Sequence, residues 1–268
     1  DTVVVLKDVE LPKAITVAEG QDITIDLNGH TISRGLSKDN VESYGQAFYI
    51  NNGSLTIMDS SVAQTGKITF AQGTSNVGWT VDVKGAFVLE SGTIELTGTW
   101  GIGYAVDVRP NAWGTAYTSP TTFLMKGGNI ISSDGGVRVA SSSSATHTLV
   151  SASFVMKGGK IDAAWDGVFV QQSDADYDNL SFEMKDGVIE SDLNPIRVYG
   201  PAPTGYVNDS DCMSIAHYML APWALYVLPL RMIINWPSII CLWLFICSWI
   251  ICSISLVEAS YTICTGTS

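Results

Sequence analysis

Apolar side chains recur along this chain on a fixed spacing. At Ile25, Leu55, Phe87, Phe123, Phe154 and Phe182 an apolar residue is followed two positions later by another, at Leu27, Ile57, Leu89, Met125, Met156 and Met184. Seven positions after the first of each pair stands Ile or Val: Ile32, Val62, Ile94, Ile130, Ile161 and Ile189. Alternation with period two predicts extended strands, because every second side chain of such a segment points the same way. The last four units, FVLESGTI, FLMKGGNI, FVMKGGKI and FEMKDGVI, are close relatives spaced 36, 31 and 28 residues apart. Each has a glycine five positions after its anchor, at Gly92, Gly128, Gly159 and Gly187.

Every unit supplies three short strands. In the fifth they are Phe154 to Met156, Ile161 to Ala163 and Val168 to Val170, turned by Gly158 and Gly159 and by the Asp166–Gly167 step. Gly adopts the positive φ of a tight corner, and Asp tolerates it better than most residues. Hairpins would return the residue types in mirrored pairs, whereas here they return in one direction. The expected architecture is therefore all-β: a parallel β-solenoid of about six coils over residues 23–200, its inward Phe, Met, Ile and Val stacked into one core. Residues 1–22, with a break at Pro12, read as a lead-in that caps the open end.

These coils resemble the right-handed parallel β-helix repeats of the pectate-lyase-like superfamily. The stretch ITIDLNGHTIS, Ile23 to Ser33, is similar to the opening coil of large bacterial surface proteins of that type. The resemblance covers roughly residues 1–200. It implies a right-handed β-helix and a secreted or surface-displayed setting, and it leaves the activity open, because this scaffold carries lyases, hydrolases and adhesive segments alike.

Charge narrows the partners. The chain carries a formal net charge of -12, and residues 1–200 hold 13 Lys and Arg against 23 Asp and Glu. Such a surface repels nucleic acid and anionic lipid. There is no nucleotide-binding Gly motif and no zinc spacing, so no cofactor is expected beyond a possible calcium ion. Residues 1–200 contain no Cys. The chain starts at Asp1 without an initiator Met or a secretory signal, the mark of a processed product or a fragment.

Beyond the linker at 201–211 the composition changes. Residues 212–268 hold all five Cys and four of the eight Trp, and Met232 to Val257 is a run of 26 uncharged residues. Such a run is long enough to cross a bilayer as a helix, although Pro222, Pro229 and Pro237 interrupt the region. The alternative is an out-of-frame translation, which also loses repeat, charge and Gly corners at once. A membrane is a partner only if this tail is genuine.

Candidate chemistry lies on the outside of the coils. The middle residues of the third strands point outward and form the column Tyr49, Asp82, Asp107, Arg138, Phe169 and Arg197. Adjacent coils lie about 4.8 Å apart, so Asp82 and Asp107 are expected as neighbours with Arg138 next above. In a catalytic reading Asp82, Asp107 and Arg138 act on a polysaccharide as a lyase or glycoside hydrolase, and Asp82 and Asp107 bind calcium weakly. In the bland reading Asp107 and Arg138 form an exposed ion pair on a solvated ladder. Tyr49, Phe169 and Arg197, with Trp113 and Tyr117 on the loop Arg109 to Thr122, are the candidate ligand-binding residues, since aromatic rings suit the apolar faces of sugars. The function expected is a structural or adhesive module of an extracellular or cell-surface bacterial protein that binds a glycan, with the polysaccharide enzyme as alternative.

Overall fold

The computed structural model describes residues 1–35, 44–72, 77–98, 103–110, 120–141, 150–171 and 178–200, together with two short strands at 213–215 and 261–262. Among the described residues the chain is all-β, without a helix, and its strands join in one sheet. From Thr2 to Tyr199 no two consecutive strands pair as a hairpin. Each pairs in parallel with the equivalent segment of the next repeat, and the result is three ladders.

The first ladder joins β1 (Thr2–Val4), β4 (Asp22–Asp26), the end of β6 (Tyr44–Met58), the end of β8 (Val77–Leu89), β11 (Thr121–Met125) and the starts of β14 (Val150–Ala163) and β16 (Asp178–Ser191). The second joins β2 (Val9–Glu10), β5 (Thr31–Gly35), β7 (Lys67–Ala71), β9 (Thr93–Thr97), β12 (Asn129–Ser132) and the ends of β14 and β16. The third joins β3 (Ile15–Val17), the starts of β6 and β8, β10 (Tyr104–Val108), β13 (Gly135–Ala140), β15 (Asp166–Gln171) and β17 (Asn194–Tyr199). This open, all-parallel pairing is compatible with a solenoid. At its far end β18 (Met213–Ile215) adds to β17 antiparallel, and β19 (Tyr261–Thr262) to β18. The rest of 201–268, with the linker and tail expectations, lies outside the described residues.

One continuous apolar cluster runs from Val5 to Ile196. Inside the first ladder Phe87, Phe123, Phe154 and Phe182 stack ring on ring, with centroids 4.9, 4.6 and 5.1 Å apart. Those separations match the ladder spacing, so stacking and strand pairing reinforce each other. Gly92, Gly128, Gly159 and Gly187 all have positive φ, between 77° and 112°. A Cβ on Gly159 would also lie 2.5 Å from the Gly128 carbonyl oxygen, which explains why this corner repeats as glycine.

The register departs from the spacing rule in the first two repeats. Leu55 pairs with Ile23 and Ile57 with Ile25, so Ile23 anchors the first repeat two positions earlier than expected. Ile68, not Val62, continues the column of Ile32 and Ile94, and Val62 is fully exposed. The cause is an extra turn organised by Asp59. Its carboxylate accepts backbone N–H groups from Gly29 (2.8 Å), Ser61 (3.0 Å) and Gly66 (2.6 Å), replacing strand by loop between Met58 and Lys67. The segment read as a lead-in is itself ladder-forming, since β1, β2 and β3 each pair in parallel with the next strand of their ladder.

Candidate functional site

Strands of the third ladder alternate, with Val81 and Val83, Val106 and Val108, and Val137 and Val139 buried in the core. The residues between them therefore face outward. Pairing sets them in one column: Tyr49 opposite Asp82, Asp82 opposite Asp107, Asp107 opposite Arg138, Arg138 opposite Phe169, and Phe169 opposite Arg197. The order is the one the sequence predicts.

The environment is not. An exposed ladder was expected, yet Asp107 is 0% exposed and Asp82 7%. Cationic head groups converge on the carboxylates, and the Lys84 and Arg138 side chains are themselves largely buried. Arg138 donates from Nε (2.7 Å) and Nη2 (3.0 Å) to the two oxygens of Asp107, a bidentate pair. Arg109 Nη2 stands 3.3 Å from the same carboxylate, and Lys84 Nζ donates to Asp82 Oδ1 at 2.5 Å. Higher up, Arg197 Nη2 meets Asp166 Oδ2 at 2.8 Å, and Asn194 Nδ2 donates to Asp166 Oδ1 at 2.9 Å.

Aromatic rings floor this network. The Arg138 guanidinium sits 4.9 Å from the Tyr104 ring centroid and that of Arg197 3.8 Å from the Phe169 ring, cation–π distances in both cases. Tyr104 and Phe169 are themselves 6.2 Å apart and cluster with Trp79, apart from the main core. Gly135 makes room, since a Cβ there would fall 2.3 Å from the Tyr104 ring.

Electrostatics separates the two central acids. Burial opposes ionisation of Asp107, but Arg138, Arg109 and then Lys84 outweigh it and hold this carboxyl well below the usual range. Burial pushes the Asp82 carboxyl up; Lys84 opposes the rise and the Asp107 charge adds to it. Burial likewise raises Asp166, against its Asn194 hydrogen bond and Arg197. The Tyr104 phenol is pushed up to about 12, mainly by burial, with Arg138 opposing.

As a calcium site the Asp82–Asp107 pair has little to offer. Its oxygens face Lys84, Arg138 and Arg109, and among the described residues no group of three or more His, Cys, Asp or Glu is placed to hold a metal. Tyr49 and Arg197 stand at the lower and upper ends of the column. Trp113 and Tyr117 lie outside the described residues. Lys84, Arg109, Tyr104 and Asp166 complete the network without having been singled out as site residues in the sequence, where Asp166 is read as a corner residue. Two of them had a signal: Lys84 and Arg109 each stand two positions after a column Asp, on the same outward parity.

On the first ladder Lys126, Lys157 and Lys185, each three positions after its anchor Phe, do not stack as one cationic strip. A register shift pairs Lys157 with Asp186, Lys126 donates to Glu90 at 2.6 Å, and Lys185 lies 3.4 Å from Glu183. Comparison with protein-family models, with curated proteins and with solved structures finds no match for this chain. No helix among the described residues is long and apolar enough to cross a membrane.

Proposed function

We propose that residues 23–200 form a right-handed parallel β-helix of about six coils, of the pectate-lyase-like kind, extended by the ladder-forming residues 1–22, and serve as a structural or adhesive module. Its setting is a secreted or surface-displayed bacterial protein, and its ligand an extracellular or cell-surface glycan. The observation that carries the non-catalytic reading is the state of Asp107. Both of its oxygens are taken by the Arg138 guanidinium, and a carboxylate so held neither takes up a proton nor attacks a sugar at neutral pH. Repeated parallel ladders and a single stacked core support a rigid spacer. Tyr49 and Arg197, both half-buried at the two ends of the column, are the side chains of this face offered for sugar contacts, while Phe169 is itself buried beneath the Arg197 guanidinium.

One observation favours the polysaccharide lyase or glycoside hydrolase. Asp82 and Asp107 are adjacent, and their environments push one carboxyl up and the other down, as an acid and base pair requires. Arg138 would then complete the set. A panel of acidic and neutral polysaccharides, incubated with the full chain with and without calcium, separates the two. Retention of a polysaccharide without new reducing or unsaturated ends is the expected result. Product formation that disappears in Asp82→Asn would establish the enzyme, and absence of both retention and product would remove the glycan from the proposal.

A further inference from the structure

One outer face of the ladders is free of charge over four successive levels. On the first ladder the residues beside the buried anchors point outward in two ranks. The first rank is Ser54, Ala86, Thr122 and Ser153, and the second is Thr56, Val88, Leu124 and Val155, each residue paired with the next along its rank. All eight are half-buried, as side chains standing shoulder to shoulder on a flat sheet are. Charge enters these ranks only at their ends, with Asp22 below Ser54 and Glu183 above Val155. The other two ladders differ. Their outward columns carry Glu95, Asp162 and Glu190 on the second, and Asp82, Asp107, Arg138 and Arg197 on the third. Among the described residues the hydroxyls of Ser54, Thr56, Thr122 and Ser153 hydrogen-bond to no protein group, so they face a ligand as both donors and acceptors.

We propose, resting on the glycan reading above, that this face binds a neutral polysaccharide lying flat across successive repeats. Sugar C–H faces lie on the rank of Val88, Leu124 and Val155, and sugar hydroxyls meet the rank of Ser54, Thr122 and Ser153. The ranks stand roughly 6.6 Å apart along the strands and repeat about every 4.8 Å across them. A pyranose ring is apolar on its faces and polar at its rim, so adjoining aliphatic and hydroxyl ranks match it in one contact. The charge distribution selects a neutral polymer. An acidic one meets a chain of -12 with no cation in these ranks to receive it, and a basic one finds its carboxylates on the other ladders. The ranks also lack the Trp, Tyr, Met and Arg that anchor protein interfaces. Strand addition has no edge to use here, since the strands of these four levels are paired on both sides.

The test measures depletion of the full chain from solution by cellulose, mannan and polygalacturonate, each against a polymer-free control. Uptake by a neutral polymer and none by polygalacturonate is expected. Leu124→Glu/Val155→Glu places in the second rank the residue type that Glu183 already supplies there. It should weaken uptake by about tenfold or more, while Ile131→Glu, at an exposed apolar site of the second ladder, leaves it unchanged. Uptake that survives Leu124→Glu/Val155→Glu overturns the inference, and if it is lost in Arg197→Ala the glycan reading stands on the third-ladder column instead. Uptake by polygalacturonate alone overturns the neutral ligand. No uptake by any of the three removes this inference together with the glycan reading. Hydroxyl-radical footprinting of the unsubstituted chain on the polymer decides the matter even if the double variant fails to fold. Protection is expected at Leu124 and Val155, and protection confined to other faces overturns the inference.

Discussion

Asp107 depends on its neighbours more than any other side chain of the outer column. It is 0% exposed, and its charge is tolerated there because Arg138 and Arg109 converge on it. Asp107→Asn keeps the shape and removes the charge, which leaves a buried guanidinium unpaired. A loss of about 3–5 kcal/mol at pH 7 is expected. The sign of its pH dependence follows from the depressed carboxyl. In the folded chain this group ionises well below its ordinary value, so its stabilisation is complete above the unfolded value of about 3.9 and is lost as pH falls through that value toward the folded one. Asp166, which is raised, changes stability in the opposite sense and is common to both proteins, whereas Asp82, raised in part by the Asp107 charge, is raised less in the variant. Urea midpoints of wild type and Asp107→Asn should thus lie far apart at pH 7 and draw together below about pH 4. A constant gap down to the acid limit means that Asp107 carries no linked proton. The order of this column was legible in the sequence, because outward parity and one repeat per step fix who stands above whom. Its burial was not. Lys84, Arg109 and Arg138 turn toward Asp82 and Asp107 rather than out into water, which spacing does not encode.

Among the elements, the test of register lies where the spacing rule fails. The seven-step rule holds from Phe87 onward because there the corner after the first strand is one tight glycine turn. In the second repeat it selects Val62, an apolar residue at the right distance on a longer connection, since the rule counts residues and not the Asp59-bound loop between them. Ile68, buried at 0%, is the residue packed on Ile32 and Ile94. Ile68→Asp should cost about 4 kcal/mol or more, by cavity and buried charge together, while Val62→Asp stays within about 0.5 kcal/mol of wild type. The same contrast holds between Met156, stacked between Met125 and Met184, and exposed Lys157. Met156→Asp should unfold the protein at temperatures where Lys157→Asp does not. Thermal melts of the four variants check both pairs, and equal melting within either pair would reject the register there.

At the scale of the molecule, the repeat was legible because a stacked core must use the same residue types at each level. The exposure of each level was not, because the spacing repeats whether or not a level is covered by a neighbour. Val3 and Val9 read as ordinary strand residues and stand half in solvent. The far end poses the question for residues 201–268. Among the described residues the main apolar cluster ends at Ile196. What the tail adds among the described residues is the antiparallel strand Met213–Ile215 on β17. Removing one edge pairing from a ladder leaves every level below it intact, since each repeat rests on its own neighbours. A chain ending at Pro203 should therefore stay rich in β-structure by circular dichroism and unfold cooperatively. Its melting temperature should fall by no more than several degrees, as expected for an effect of about 1 kcal/mol. It should also stay in solution where the full chain, with 26 uncharged residues from Met232 to Val257, associates or partitions into detergent. Loss of the cooperative transition on truncation would instead make the tail a cap without which the ladders do not hold, and its apolar run would then belong against β17 and the last core level rather than in a membrane.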